Sequence, residues 1–199
     1  MRPDYQIERR RAVNDRALRA DARDNRAKVL TAARSAFEEL GPEANLREIA
    51  RRAGVAQGTV HRHFPTKQAL FSAIAVDRLK ELAELARALD TQEPPGTAFL
   101  AFVSKTVEQA RQNRSLAAVF AGAGSDSAVQ TAEQEMSTAL ETLLAQAQAD
   151  GTIRDDIDLA DVHAITAALL AVDAYPASSD TDRSRRITVV LDGLRPRRS

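Results

Sequence analysis

Apolar residues recur at helical spacing along most of this chain, and β-branched runs are absent. Val29, Ala33, Ala36, Phe37 and Leu40 form a stripe that predicts a helix over about Asp24–Leu40. Gly41 ends it and Pro42 prevents its continuation. Leu46, Ile49, Ala50 and Ala53 then share one face of a short helix, with Arg47, Glu48, Arg51 and Arg52 on the other. Asn45 is a good N-cap for it, and Glu48 sits three residues on at the capping-box position. Gly54 supplies a tight turn, and Val55 can plug the angle that follows. A second short helix opens at Gln57-Gly58-Thr59 and closes before Pro65. Thr66 can cap a longer helix, Lys67 to about Leu89, striped by Ala75, Leu79, Leu82, Ala86 and Leu89.

Asp90–Gly96 (DTQEPPG) breaks the periodicity. Helical spacing resumes over about Thr97–Gln112, with Phe99, Phe102, Val103, Thr106 and Ala110 inward. Leu116–Ala121 is a short apolar segment, and Gly122–Ser127 reads as a small-residue loop. Further helices are predicted over about Ala128–Ala149, Leu159–Tyr175 and Arg183–Leu194. Gly151 is placed as a C-terminal cap, and Pro176–Asp182 as a polar loop. The chain is rich in Ala, Leu, Arg, Glu and Gln and only 4% aromatic, which supports an all-α fold. Its 199 residues suffice for one or two domains with a real core. There is no Cys, hence no disulfide and no thiolate metal site, which fits a reducing cytoplasm. No apolar run approaches the roughly 18 residues of a membrane span. The N-terminus is charged, not signal-like. Met1–Asp21 is Arg-rich and lacks clear periodicity, so it reads as a flexible basic arm.

Charge sharpens this picture. The formal net charge is +0, which taken alone argues against a nucleic-acid binder. Its distribution argues the other way: residues 1–67 hold 15 Lys and Arg against 9 Asp and Glu, and residues 68–199 hold 13 against 19. A basic head joined to an acidic body is the footprint of a DNA-facing domain with a partner domain.

Two helices joined by a short turn containing Gly match the DNA-binding helix-turn-helix. The run LREIARRAGVAQGTVHRHFPTKQALF resembles the TetR (tetracycline-repressor) family of bacterial transcription regulators over roughly Arg19–Ile74. Its distinguishing tail here reads His61, Arg62, His63-Phe64, Pro65-Thr66, Lys67, Gln68-Ala69, Leu70. The family usually carries Tyr where this chain has His61, and an imidazole there makes a phosphate contact sensitive to pH. The resemblance implies a three-helix DNA-binding domain over residues 21–66, preceded by an arm over 1–20. It also implies a helical effector-binding and dimerisation domain over 67–199, with the last two helices forming a homodimer seam. The Lys67–Leu89 helix then links the two domains as a lever.

A recognition helix offers its N-terminal part to the major groove while flanking groups grip phosphates. Gln57 and Thr59 are the base-edge candidates, and Gly58 allows close approach. His61, Arg62 and Lys67 are the phosphate or base contacts, with Asn45 and Arg47 holding the flanking backbone. His63 either meets phosphate or braces the helix, and Phe37 and Phe64 belong to the core. His61 and His63 do not make a metal pair, because residues two apart on a helix point nearly opposite ways. Asp155, Asp156 and Asp158 lack the glycine and distal Glu of a calcium loop, and read as helix-start charges. No nucleophile or nucleotide-cradle motif appears, so no catalytic residue, metal or cofactor is expected. Phe99, Phe102, Thr106, Phe120, Met136 and His163 are candidates to line an effector pocket, though each serves as readily as plain core, and a lone His on an apolar helix is more often an interior group. The expected function is a DNA-binding regulator, a repressor released from a palindromic operator by a small molecule. The alternatives are a DNA-binding dimer without such a pocket, governed by a protein partner or by abundance, and an enzyme or scaffold with a vestigial head.

Overall fold

The computed structural model describes residues 3–112, 126–173 and 179–196. Among the described residues there are eight α-helices and no strand. They are α1 (Pro3–Leu40), α2 (Leu46–Ala53), α3 (Gln57–His63), α4 (Lys67–Gln92), α5 (Pro95–Gln112), α6 (Ser127–Ala149), α7 (Leu159–Asp173) and α8 (Asp180–Asp192). Through Ile74 the described residues form one compact unit, and from Ala75 onward a second, so α4 contributes to both.

The first unit is built on α1, which begins at Pro3 and not near Asp24. Residues 4–40 contain neither Gly nor Pro and are rich in Arg and Ala, both good helix formers. The backbone therefore continues as helix through the stretch expected to be an arm, although its first residues lack an apolar stripe. Gly41 breaks the helix at φ +67 and a short 3-10 turn, Gly41–Glu43, follows. The core of this unit holds Val29, Leu30, Ala33, Ala36 and Phe37 from α1, Ile49 and Ala50 from α2, Val60, Phe64, and Leu70, Phe71 and Ile74 from the start of α4. Phe37 is fully buried, with its ring centroid 5.0 Å from that of Phe71 at a tilt of 55°.

The second unit packs α5 against α6 and α7, and α7 against α8. Its core runs through Ala83, Ala86, Leu89, Phe99, Phe102, Val103, Val107, Leu140, Leu143, Leu144, Ile153, Val162, Leu169, Leu191 and Leu194. The expected break at Asp90–Gly96 is narrower in the fold, since α4 runs on to Gln92 and α5 starts at Pro95, where a missing N–H costs nothing. Asp126 caps α6 by accepting the Ala128 N–H at 3.0 Å, and Gly151 at φ +73 follows its C-terminus. Asp158 and Asp161 form a reciprocal capping box at the head of α7, each carboxylate accepting the other's N–H at 2.9 and 3.0 Å. Gln148 donates to the carbonyls of Arg154 and Ile157, and the Arg154 N–H donates to Leu194 O at 2.9 Å. These bonds fix the loop before α7 to α6 and to Leu194, two residues beyond the end of α8. Gly96 is buried, and a methyl group added to it would overlap the Thr152 side chain.

Candidate nucleic-acid interface

The helix-turn-helix is assembled by local chemistry. The Asn45 side chain accepts the Glu48 N–H at 2.9 Å, which satisfies one orphan donor of α2. Gly54 takes φ +66 at the C-terminus, and its N–H and that of Val55 return to carbonyls of α2. Val60 of α3 is fully buried beneath the unit, and Phe64, also buried, ends α3 before Pro65. The Thr66 hydroxyl accepts the Ala69 N–H at 3.0 Å and so starts α4.

The Glu48 side chain does not close the capping box. It accepts two bonds from Arg51, at 2.8 and 2.6 Å, and one from Arg52 at 2.8 Å. Hydrogen bonds from Arg51, then Arg52, hold its carboxyl down to about 2 from 4.5. Arg52 also reaches Glu39 of α1 at 2.8 Å and Ser35 Oγ at 3.4 Å, and lowers the Glu39 carboxyl in turn. The polar face of α2 thus contains a tie to α1. The Arg52 side chain is only 18% exposed, and that of Arg51 is 72% exposed. Sequence spacing missed this tie because Glu39 and Arg52 lie in separate helices.

Gln57, Gly58, His61 and Arg62 are exposed on α3, Thr59 is half-buried, and Asn45 and Arg47 are exposed at the head of α2. These residues share one compact unit. No hydrogen bond or ion pair within the described residues engages Arg47 or Arg62. Lys67 is placed differently from a free cation. It is half-buried, with Nζ 6.0 Å from the centre of the Phe37 ring and 5.7 Å from that of Phe71. His63 is half-buried beside Phe64, and its Nε2 is enclosed with no hydrogen-bond partner among the described residues. Arg26 of α1, which the sequence did not single out, lies 5.5 Å over the Phe64 ring.

In the second unit Phe99 and Phe102 are closed into the core, Met136 is half-buried, and Thr106 keeps an enclosed hydroxyl without a partner. Phe120 lies outside the described residues. His163, expected to be interior, is exposed on the protomer. The inward stripe of α7 is Val162 and Leu169, seven apart, and His163 falls about 100° from Val162 around the helix. A cleft of ≈ 490 Å³ opens instead between α4 and α6, lined by Ala86, Arg87 and Asp90 on one side and by residues from Thr131 to Thr142 on the other. Among the described residues no group of His, Asp and Glu has the arrangement of a metal site, and no helix is long and apolar enough to cross a membrane.

Comparison with known proteins agrees with this architecture. Residues 29–74 match the model of bacterial regulatory proteins of the tetR family. Residues 94–196 match that of the transcriptional regulator SbtR-like C-terminal domain. A TetR transcription regulatory protein from Mycobacterium vanbaalenii is 40% identical, with a TM-score of 0.70 over 90% of this chain and 99% of that one. The TetR transcriptional regulator SCO0520 from Streptomyces coelicolor is 33% identical, with a TM-score of 0.66 over 87% of this chain and 99% of that one. The HTH-type transcriptional regulator TtgW of Pseudomonas putida is 38% identical over 64 residues, 32% of this chain. That match spans about half, 48%, of the length of this curated relative. With a helix-turn-helix head, an all-helical second unit and these two family models in series, the chain belongs to the TetR family of DNA-binding transcriptional regulators.

Proposed function

We propose that the chain is a cytoplasmic homodimeric repressor that holds a palindromic operator and releases it when a small molecule binds the C-terminal domain. The observation that carries the DNA-reading part is the exposed face of α3, where Gln57, Gly58, His61 and Arg62 are open to solvent beside unengaged Arg47. Gln57 and Thr59 read base edges, by amide hydrogen bonds and by methyl contact. A Cβ added at Gly58 meets nothing within 4 Å, so the space before the helix is open to a duplex. Asn45, Arg47, His61 and Arg62 grip phosphates, and Lys67 does so from its seat over the two rings. His63 braces α3, a role its enclosed Nε2 favours over phosphate contact.

Dimerisation is supported by apolar surface on the last two helices. Leu170 of α7 is 36% exposed and Val189 of α8 is 66% exposed, with Ala160, Ala164, Ala167 and Ala168 also open on α7. Small side chains let two such helices approach closely. A two-fold dimer places its recognition helices about 34 Å apart, one turn of DNA, or slightly more. Release requires the effector to prefer the misaligned conformer, by roughly 5.5 kcal/mol for a shift from 1:99 to 99:1.

The test is to sequence DNA fragments retained by the purified protein. An inverted repeat with half-sites about one turn apart is the expected result. Gln57→Ala combined with Thr59→Ala should erase the sequence preference while leaving weak, salt-sensitive binding. Unchanged selection by that variant refutes the assignment. Reporter expression from the recovered site should rise when the chain is withdrawn, and a fall would make it an activator.

A further inference from the structure

The cleft between α4 and α6 has a chemistry of its own. Ala86 of α4 and Ala139 of α6, buried at 1% and 9% exposure, both line it, small side chains that leave a trench where larger ones would fill the space. Its size lies within the range of small-molecule sites. Asp90 lines it, and Asp90 Oδ1 is enclosed with no hydrogen-bond donor among the described residues. Oδ1 itself is closed to a ligand, but no hydrogen bond or ion pair among the described residues engages the Asp90 carboxylate, so its charge is left for a cation in the cleft to balance. The hydroxyl of Thr131 donates to Ser127 O at 2.9 Å, and that of Thr142 to Thr138 O at 3.0 Å. Each spends its proton on its own helix and has only oxygen lone pairs left to offer. Glu135 adds a second carboxylate, and Arg87 is the one cation in the lining. Gln134 brings amide donors as well as an acceptor, so the preference rests on charge: the lining carries one negative charge in excess.

We propose that this cleft binds a small organic monocation of the alkylammonium class, its nitrogen toward Asp90 and its hydrocarbon over Ala86 and Ala139. As an entry point for an effector it rests on the ligand-release reading above; as a binding site it does not. The neutral and anionic counterparts of such a ligand bring no charge that Asp90 and Glu135 favour.

The experiment titrates cyclohexylammonium, cyclohexanol and cyclohexanecarboxylate into the full-length protein by calorimetry. The ammonium should bind about tenfold or more tightly than the other two, the weight of one charge-assisted hydrogen bond. Asp90→Asn should bring it to the level of the alcohol. Thr138→Arg, at an exposed position of α6 that lines the cleft, should do the same by bulk and like charge, and covers the case in which Asp90→Asn does not fold. Equal binding of the alcohol or the carboxylate overturns the proposal, as does wild-type affinity in either variant that folds, or no ammonium binding at millimolar concentration. Operator affinity is read separately on the same samples. Ammonium binding that leaves it unchanged upholds the site and refutes its role as an effector site. Absence of ammonium binding together with operator release by another compound refutes the cleft and leaves ligand release standing.

Discussion

The head of this regulator is rich in Arg, yet its guanidinium groups are not equally available to a phosphate. Arg51 gives two hydrogen bonds to Glu48, and Arg52 divides itself between Glu48 and Glu39. Arg47 and Arg62 are exposed and engage nothing among the described residues. The salt dependence of operator binding should therefore separate the two pairs. Each neutralised phosphate contributes about 0.9 to the slope of log K against log salt concentration. In a dimer Arg62→Gln removes two such contacts, so the slope should flatten by about 1.8. Between 50 and 200 mM salt, a fourfold change, the wild type should then lose about twelvefold more affinity than the variant. Arg47→Gln should behave alike, whereas Arg51→Gln should change the slope by less than half as much. Fluorescence anisotropy of a labelled operator over that salt range measures it. A wild-type slope in Arg62→Gln, or an equal loss in Arg51→Gln, would show that internal pairing does not decide which cations reach DNA.

Two further outcomes follow from single positions. The Glu48 carboxyl sits at about 2 in the fold, against 4.5 for an ordinary glutamate, chiefly through the Arg51 and Arg52 hydrogen bonds. Its contribution is therefore complete above about pH 4.5 and is lost as pH falls toward 2, so the urea midpoint of the wild type should drop more steeply over that window than that of Glu48→Gln. Parallel curves would contradict this. Gly96→Ala should destabilise the second unit by about 1–3 kcal/mol, because the new methyl overlaps Thr152, and should lower the thermal midpoint by about 2–4 °C per kcal/mol. Adding Thr152→Gly should restore part of the loss, and an unchanged midpoint in Gly96→Ala would refute the overlap.

The elements that sequence made legible are those fixed by neighbours in the chain. Asn45, Gly54, Thr66 and Gly151 act within four residues of themselves, and each has the cap or turn geometry its type suggests. Ile49 and Ala50, from the stripe read along α2, likewise face inward because helical period alone decides it. The beginning of α1 was misread because a helix of favourable composition needs no apolar stripe to persist. The Arg52–Glu39 pair, the rings under Lys67 and the α4–α6 cleft were not readable for a different reason. Each depends on which surfaces of separate helices meet. A cleft is also marked by what is small, such as Ala86 and Ala139, and alanine gives no signal in a hydrophobic pattern. Phe99 and Phe102, the conspicuous residues, fill the core instead.

The bond from Arg52 to Glu39 also bears on how portable the reading head is. A graft of Leu46–His63 onto another three-helix scaffold would carry Arg52 without its partner in α1, leaving a largely covered guanidinium with one of its two carboxylates missing. The smallest transplantable piece therefore starts no later than Ser35, which bonds the same side chain. The same coupling makes Glu39 and Arg52 a pair that divergence should alter together.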